Sequence, residues 1–375
     1  MACPLRVSSS DLTSYETGGI TMRSRLEAAF AAAAFSFLSL DNSAIAASTA
    51  PKPLFASDEV LHLTLRGPIG HMSKSDTSKP VPGALTVIGS APETLPVQLS
   101  VRGLTRSKSE VCPFPPLRVE FTKKPPANSL FRGQKGLKLV THCRAPENFQ
   151  QYLLLEYGAY KMYKVLTPDS FNVRLAMIDY ASEDDKAITS RLGFFIEDVD
   201  DVASRNGQKR LRGANRVSVR QIDPAASERY ALFQYMIGNL DWAMNAAPAG
   251  ADCCHNSRLV GIKGATVGLV PVPYDFDFSG LVNAPYAVPP PVVKVANVRV
   301  RRYRGFCAHN AQAQAAAADL VAHRASLLAI LDQIPQLDYT PRQRASSYLG
   351  DFFDHAGSPA QVAEIVKTCL GPPNS

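Results

Sequence analysis

Three acidic side chains and one amide in the second half of the chain have types suited to joint chemistry. Asp241 follows a helix-like segment, Asn256 comes after it, and Asp275 and Asp277 lie in the sequence Val-Pro-Tyr-Asp-Phe-Asp. Carboxylate and amide oxygens are the hard ligands that Mg²⁺ takes in proteins. A carboxylate on a loop can accept a proton from a substrate hydroxyl. We therefore predict that Asn256, Asp275 and Asp277 bind a divalent cation beside a catalytic Asp241.

A β-hairpin is predicted to bring Asn256 and Asp275 together. Two short apolar runs, 258–263 and 267–274, flank a turn at 264–266, and this pattern is typical of a hairpin. The two open ends of a hairpin are neighbours in space. Because Asn256 precedes the first run and Asp275 follows the second, we expect their oxygens to share one ion.

Other interpretations of these residues stay open at this point. Asp241 could instead form local hydrogen bonds with the backbone at the helix end. Asp277 could be a second ligand or could cap the turn at 279–280. Asn245 competes with Asn256 for the amide role, because its spacing from Asp241 is close to that of a kinase catalytic loop. We favour Asn256, since the hairpin ties it to Asp275.

Glu156 is the acidic residue of the first half that most needs a partner. It lies in a predicted helix over 149–166, among Tyr and Leu side chains. An unpaired buried carboxylate is costly, so we expect a cationic partner, and Lys138 and Arg118 within predicted strands are the two candidates. A strand Lys paired with a helix Glu positions nucleotide phosphates in kinases. Glu156, Lys138 and Arg118 are therefore predicted to bind the cofactor, and a purely structural ion pair is the alternative.

Length and composition indicate a globular protein with a sizeable core. The chain has 375 residues, a formal net charge of +7, 46% hydrophobic residues and 19% charged residues. This length suggests two domains or lobes. The mild basic excess favours an anionic ligand in general. The sequence contains neither an RNA-binding signature nor zinc-finger spacing, so nucleic acid is not an expected partner.

The N-terminus has the pattern of a signal peptide. Two arginines precede a short apolar stretch over 28–40, and 44–46 fits a small-x-small cleavage site. We predict a leader over 1–47 and a periplasmic or secreted location, with a start at Met22 left open. A buried Ala-rich helix is the alternative interpretation. The apolar stretch is too short to cross a bilayer, so no membrane span is expected.

Cysteine usage is consistent with export. An even number of cysteines beyond the leader suggests disulfides in an exported chain, and in a reduced compartment they would be ordinary core residues. The six are Cys112, Cys143, Cys253, Cys254, Cys307 and Cys369. Cys112 and Cys143 flank neighbouring strand candidates and are the favoured pair.

Hydrophobic periodicity divides the chain into a β-rich half and a helical half. After a linker over 48–57, a β-rich region is predicted over 58–200 and a helical region over 201–375. The predicted strands are 59–66, 95–102, 116–121, 137–141, 171–180, 192–197 and a basic strand at 298–304. The predicted helices are 149–166, 227–240, 311–334, 341–356 and 359–370.

These elements together resemble the spore-coat protein H (CotH-type) kinase family, over roughly residues 95–285. The matching segments are 101–103, 156–163, 170–174, 239–241, 255–256 and 273–275. The resemblance implies an α+β, two-lobed, protein-kinase-like fold, whose β-rich N-lobe has one inserted helix and whose helical C-lobe contains a β-hairpin. It also implies that Asp241 is the catalytic Asp and that Asn256 and Asp275 bind metal.

The expected function is an exported kinase-like phosphotransferase. It would move the γ-phosphate of ATP to a hydroxyl acceptor, a protein Ser or Thr by the resemblance, with Mg²⁺ or Mn²⁺ as the metal. The expected partners are a nucleotide and a protein acceptor. Two alternatives stay open: a binding or surface-structural protein without turnover, and a metal-dependent phosphoesterase that uses the same acidic residues.

Overall fold

The computed structural model describes residues 49–72, 79–89, 91–248 and 250–371. The leader predicted over 1–47 lies outside these residues. Within the predicted linker over 48–57, Leu54 and Phe55 are buried in the core of the following β-structure.

The first half of the described chain forms a closed barrel of seven strands. Neighbouring strands around it follow the order β1-β2-β3-β4-β5-β7-β6, and β6 pairs with β1 to close the ring. The β6–β1 pairing is parallel and the other pairings are antiparallel. The strands are β1 Leu61–Arg66, β2 Val81–Val87, β3 Glu93–Val101, β4 Leu117–Phe121, β5 Gly136–Val140, β6 Val173–Ala181 and β7 Ala187–Ile196.

The predicted two-lobed, kinase-like fold is wrong. The sheet closes into a barrel because β1 and β6 pair along their length, with Leu63 opposite Ile178, and residues 46–375 form one compact unit. Alternate apolar residues fill the barrel, as the period of a strand requires; Leu61, Leu63 and Leu65 of β1 are all buried. The predicted strands do not include β2, and without it the ring of strands does not close.

Helices and a three-stranded sheet make up the remainder. A short helix, α1 Ile69–Met72, follows β1, and α2 Asn148–Leu166 is inserted between β5 and β6. The later strands are β8 Lys209–Arg210, β9 Ser257–Gly261 and β10 Val270–Pro273. The later helices are α3 Val199–Arg205, α4 Pro224–Ile237, α5 Ala313–Ala322, α6 Arg324–Gln333, α7 Tyr339–His355 and α8 Pro359–Val366.

The predicted hairpin is confirmed, and the predicted basic strand is not. β9 and β10 pair antiparallel, with Ser257 opposite Pro273. Residues 298–304 are irregular, and their arginine side chains donate to carbonyl groups of other segments. Arg301 donates to the carbonyl oxygens of Met236 and Tyr348, and Arg304 donates to that of Leu240. These hydrogen bonds connect the segment to the end of α4 and the loop that follows it.

Three disulfides are present among the described residues: Cys112–Cys143, Cys253–Cys254 and Cys307–Cys369. The first is the pair that the sequence favoured. It joins the segment before β4 to the segment between β5 and α2, close to the loop that carries Arg106. The third joins the segment before α5 to the C-terminal segment after α8.

A search of the helices within the described ranges finds none that combines the length and the apolar character needed to cross a bilayer. This finding agrees with the expectation that these residues contain no stable membrane span.

Candidate functional site

A pocket of about 470 Å³ brings together most of the predicted site residues. Its volume is within the range of small-molecule sites. One wall is the loop after β3, from Arg102 to Arg106, and another is the segment around Asp241, His255 and Asn256. Tyr274, Asp275, Asp277 and Phe278 form the base, and a proline-rich segment over 288–291 borders it.

The turn after α4 positions Asp241. Gly238 ends the helix in the left-handed conformation, with φ 66°, and a Cβ there would lie 2.0 Å from the hydroxyl oxygen of Tyr348. Glycine is therefore required at this position. The side-chain oxygen of Asn239 then accepts a hydrogen bond from the backbone N–H of Asp241, at 3.0 Å, which fixes the start of the loop.

Both carboxylate oxygens of Asp241 have partners. Oδ1 lies 2.8 Å from Nε2 of His255, and Oδ2 accepts a hydrogen bond of 3.0 Å from the amide nitrogen of Asn256. The Asn256 amide also donates to the backbone oxygen of Asp241, at 2.7 Å. Because both of these bonds use the amide nitrogen, the amide oxygen of Asn256 is turned away from Asp241. Asp241 is thus held in one orientation at the pocket wall.

His255 is a site residue to which the sequence analysis assigned no role. Its hydrogen bond with Asp241 raises the pKa of the imidazole above its ordinary value, despite an opposing effect of burial. The pair lies at the pocket, where both side chains are partly exposed. The signal for it in the sequence was the position of His255 directly before the predicted ligand Asn256.

The hairpin brings Asn256 and Asp275 to the same end of the small sheet, as predicted. The backbone N–H of Tyr274 donates to the backbone oxygen of Asn256, at 3.1 Å. The backbone N–H of Asp275 donates to the hydroxyl of Tyr160 in α2, at 2.8 Å. Asn256 and Asp275 both have positive φ, at 50° and 66°, a conformation that Asn and Asp tolerate better than most residues.

A buried guanidinium, that of Arg106, lies among three carboxylates. Its Nη1 is 2.9 Å from Oε2 of Glu156, its Nη2 is 2.7 Å from Oδ1 of Asp275, and its Nε is 3.1 Å from Oδ2 of Asp277. We call these four residues the acidic cluster. Three carboxylates and one guanidinium leave two negative charges in excess when all are ionised.

Neither predicted partner of Glu156 is its actual partner. Glu156 is 1% exposed and needs a cation, as expected, but Arg106 supplies it. Arg118 pairs with Glu120 at 3.2 Å, and the ammonium of Lys138 lies 4.7 Å from the ring centre of Tyr274. The predicted roles of Glu156, Lys138 and Arg118 in cofactor binding stay predictions.

The pKa values of Asp275 and Asp277 are shifted in opposite directions. Burial acts to raise the pKa of Asp275, but the cations Arg106, Arg102 and Lys138 together hold it below its ordinary value. Burial raises the pKa of Asp277 well above its ordinary value, and Arg106 does not offset this effect. Asp277 is therefore the carboxylate that most lacks positive charge.

The cluster fits a divalent cation by both ligand type and charge. Glu156, Asp275 and Asp277 each offer a carboxylate oxygen within 4.8 Å of the others, and such oxygens suit Mg²⁺ or Mn²⁺. Asp275 and Asp277 line the pocket, whereas Glu156 lines a smaller cavity behind Arg106. Asp275 and Asp277 are thus the carboxylates that an ion arriving from the pocket would meet.

No protein-family model matches the chain, and no curated protein matches its sequence. The resemblance to the spore-coat protein H kinases therefore stays a prediction, and function has to be argued from the site.

Proposed function

We propose that the pocket catalyses phosphoryl transfer from a nucleoside triphosphate to a hydroxyl group, with one divalent cation at the acidic cluster. The proposal does not depend on a kinase-like fold, because function resides in the site and not in the fold that carries it. The carrying observation is that Asp275 and Asp277, in a cluster of three carboxylates around one guanidinium, line the same pocket as Asp241.

Asp275 and Asp277 would hold the cation. The amide oxygen of Asn256, at the same end of the hairpin, would be a neutral ligand. When bound, a divalent cation neutralises charge on the phosphate oxygens during transfer. Arg106 supports the same end of the pocket, since its three ion pairs keep Asp275 and Asp277 in place. Arg106, Arg102 and Lys138 thereby maintain the negative charge of Asp275, which burial alone would disfavour.

Asp241 would orient the acceptor hydroxyl and take its proton. Its partners His255 and Asn256 hold both carboxylate oxygens in fixed directions, and a pre-oriented base lowers the entropic cost of reaction. The raised pKa of His255 favours an imidazolium beside the carboxylate.

The test is metal-dependent nucleotide binding followed by transfer. Calorimetric titration with ATP should show binding in the presence of Mg²⁺ or Mn²⁺ and much weaker binding in EDTA. The Asp275→Asn variant should lose the metal dependence. Asp241→Asn should keep binding and reduce transfer to a protein hydroxyl by about 10²-fold or more, the usual contribution of a positioned base.

The matched control is Asp58→Asn, since Asp58 is an exposed carboxylate paired with Lys161 at 2.6 Å and absent from the pocket lining. It should behave as wild type. Equal affinity for ATP in Mg²⁺ and in EDTA would contradict the proposal. So would a rate of transfer in Asp241→Asn that equals that of the wild type. Release of inorganic phosphate from a simple phosphoester without nucleotide would instead favour a phosphoesterase.

A binding protein without turnover is the second candidate, and one observation favours it. Arg106 already contacts all three carboxylates, so the cluster is partly neutralised without metal. In that case ATP would bind to the pocket with equal affinity in Mg²⁺ and in EDTA, and single-turnover assays would detect no transfer.

A further inference from the structure

Two cationic side chains beside the pocket lack an ion-pair partner of their own, because the carboxylate that acts on both, that of Asp275, is paired with Arg106. The guanidinium of Arg102 and the ammonium of Lys138 form neither a hydrogen bond nor an ion pair with any residue in the described ranges, although both side chains are half-buried. Partly buried charges without a partner are costly. A protein that keeps two such charges together loses stability unless an anion occupies the space between them.

Other partly buried cations of the barrel region have partners. Lys52 lies 2.7 Å from Asp201, and Lys161 lies 2.6 Å from Asp58. Arg118, which is opposite Lys138 on the neighbouring strand, pairs with Glu120. The lack of partners at Arg102 and Lys138 is therefore a local feature of the pocket.

The ring of Tyr274 contacts Lys138 and a third cation, Arg258. The ammonium of Lys138 lies 4.7 Å from the centre of its ring, and the guanidinium of Arg258 lies 4.8 Å from it. Arg258 is fixed by hydrogen bonds from Nη1 to the backbone oxygens of Cys254 and Ser257, at 2.8 and 2.7 Å. Contact with an aromatic ring stabilises each cation but does not neutralise it.

The three cations act on one another. Burial, followed by repulsion from Arg102 and Arg258, lowers the pKa of Lys138 to about 7. Asp275 and Asp198 oppose this effect without cancelling it. Arg102, Arg258 and Tyr274 line the pocket, so an anion in the pocket reaches the two guanidinium groups directly, and Lys138 adjoins them through its contact with the Tyr274 ring.

We propose that Arg102, Lys138 and Arg258 form an oxyanion subsite that binds a phosphate group without the help of a divalent cation. Guanidinium and ammonium groups are the usual donors to phosphate oxygens. The inference rests on the proposed function only for the identity of the ligand, and the phosphate belongs either to the nucleotide or to a phosphorylated acceptor.

Inorganic pyrophosphate in EDTA is the direct probe. Titration calorimetry should show binding to the wild-type chain, and Lys138→Met and Arg102→Gln should each weaken it about tenfold, as expected for loss of one charge-assisted contact. Lys138→Arg should retain most of the affinity. Lys161→Met, which removes the same charge at a paired site outside the pocket, should leave the affinity unchanged. Far-UV circular dichroism of each variant establishes that it is folded.

Two further outcomes separate the subsite from the proposed function. Pyrophosphate binding that depends on Lys138, in a protein that ignores ATP with Mg²⁺, would support the subsite and reject the phosphotransferase. ATP binding with Mg²⁺ that is equal in wild type and in Lys138→Met, together with a pyrophosphate affinity that Lys138→Met leaves unchanged, would reject the subsite and leave the phosphotransferase standing.

Competition identifies the source of the phosphate. If ATP with Mg²⁺ displaces pyrophosphate, the nucleotide supplies the group, whereas simultaneous binding assigns the subsite to the acceptor. Pyrophosphate affinity that is the same in wild type, Lys138→Met and Arg102→Gln, or no pyrophosphate binding to the wild-type chain, would overturn the inference.

Discussion

Two buried arginines in this molecule have very different surroundings. Arg205, in α3, meets one carboxylate, that of Glu197, with Nε 3.2 Å from Oε1. Arg106, in the loop after β3, meets three, those of Glu156, Asp275 and Asp277. Both guanidinium groups are less than a tenth exposed, so the difference lies in the balance of charge and not in burial.

The Arg205 site is complete without a ligand. Arg205 also donates to the backbone oxygens of Pro168 and Ser170, and Asn172 donates to Glu197 through both its backbone and its side-chain nitrogen, at 2.9 Å. The guanidinium of Arg205 and the carboxylate of Glu197 therefore have their partners within the protein. Neither Arg205 nor Glu197 lines the pocket.

Charge balance distinguishes the structural ion pair at Arg205 from the candidate site at Arg106. A matched ion pair stabilises the packing of two segments. Here the hydrogen bonds of Arg205 to Pro168 and Ser170 join α3 to the segment before β6. An unmatched cluster at a pocket has capacity for a further cation. Perturbed groups of this kind concentrate at functional sites, although structural networks also contain them.

Removing each arginine gives the largest expected effects and tests the comparison directly. Arg205→Met and Arg106→Met should each lower the free energy of unfolding by about 3–5 kcal/mol in EDTA, because each leaves a buried carboxylate unpaired. Mn²⁺ should restore part of the loss in Arg106→Met and none in Arg205→Met. Urea denaturation with and without Mn²⁺ measures both, and equal responses of the two variants would remove the distinction.

A further buried carboxylate, that of Glu228, provides a pH-dependent reference without a cationic partner. It is fully buried and accepts a hydrogen bond from the hydroxyl of Tyr303, at 2.5 Å, and burial raises its pKa from 4.5 to about 7. Because the folded state binds the proton more tightly, this group's contribution is greatest below pH 4.5 and is lost as the pH rises to about 7.

The loss amounts to about 3 kcal/mol for a shift of this size. Glu228→Gln should therefore flatten the decline in the free energy of unfolding between about pH 4.5 and pH 7, as measured by urea denaturation along a pH series. The decline should persist in Arg205→Met. An unchanged slope in Glu228→Gln would show that Glu228 is already ionised in the folded state at low pH.

Neutralising one carboxylate should change the free energy of unfolding in opposite directions at the two arginines. Asp277→Asn should raise the free energy of unfolding in EDTA by about 1 kcal/mol, because it removes excess negative charge from the acidic cluster. Glu197→Gln should lower it, because it leaves Arg205 without a counter-charge. Thermal melts in EDTA compare them, and destabilisation of both variants to the same extent would argue that the cluster has no excess charge.

The smallest expected effect is at Arg118. Its pairing with Glu120 is largely exposed, with side chains 30% and 47% accessible, and such pairs contribute about 0–1 kcal/mol. Arg118→Gln should change neither the free energy of unfolding by more than about 0.5 kcal/mol nor the response to Mn²⁺ and ATP. A lost ATP response would restore Arg118 as a cofactor-binding residue.

Local signals in the sequence were sufficient for much of the site. The apolar runs around 264–266 predicted the hairpin, and the hairpin placed Asn256 beside Asp275. The end of α2 was predicted from Thr167 and the proline after it, because a proline disfavours helix at the residue before it. These features depend on residues close together in the chain.

The rest depended on contacts between distant residues. Closure of the barrel requires β1 to pair with β6, and hydrophobic alternation does not specify which strands become neighbours. The partner of Glu156 lies 50 positions away, in a polar loop that lacks a periodic pattern. Lys138 and Arg118 lie in regular strands and were therefore easier to recognise than Arg106.

Calorimetric titration of Mn²⁺ into the metal-free chain probes the acidic cluster alone, because it requires neither a nucleotide nor an acceptor. If the unbalanced acidic cluster is a metal centre, the wild-type chain binds one ion, Asp277→Asn loses it, and Glu197→Gln retains it. Absence of saturable binding to the wild-type chain, or equal binding to Asp277→Asn, would contradict the assignment of the cluster as the metal site.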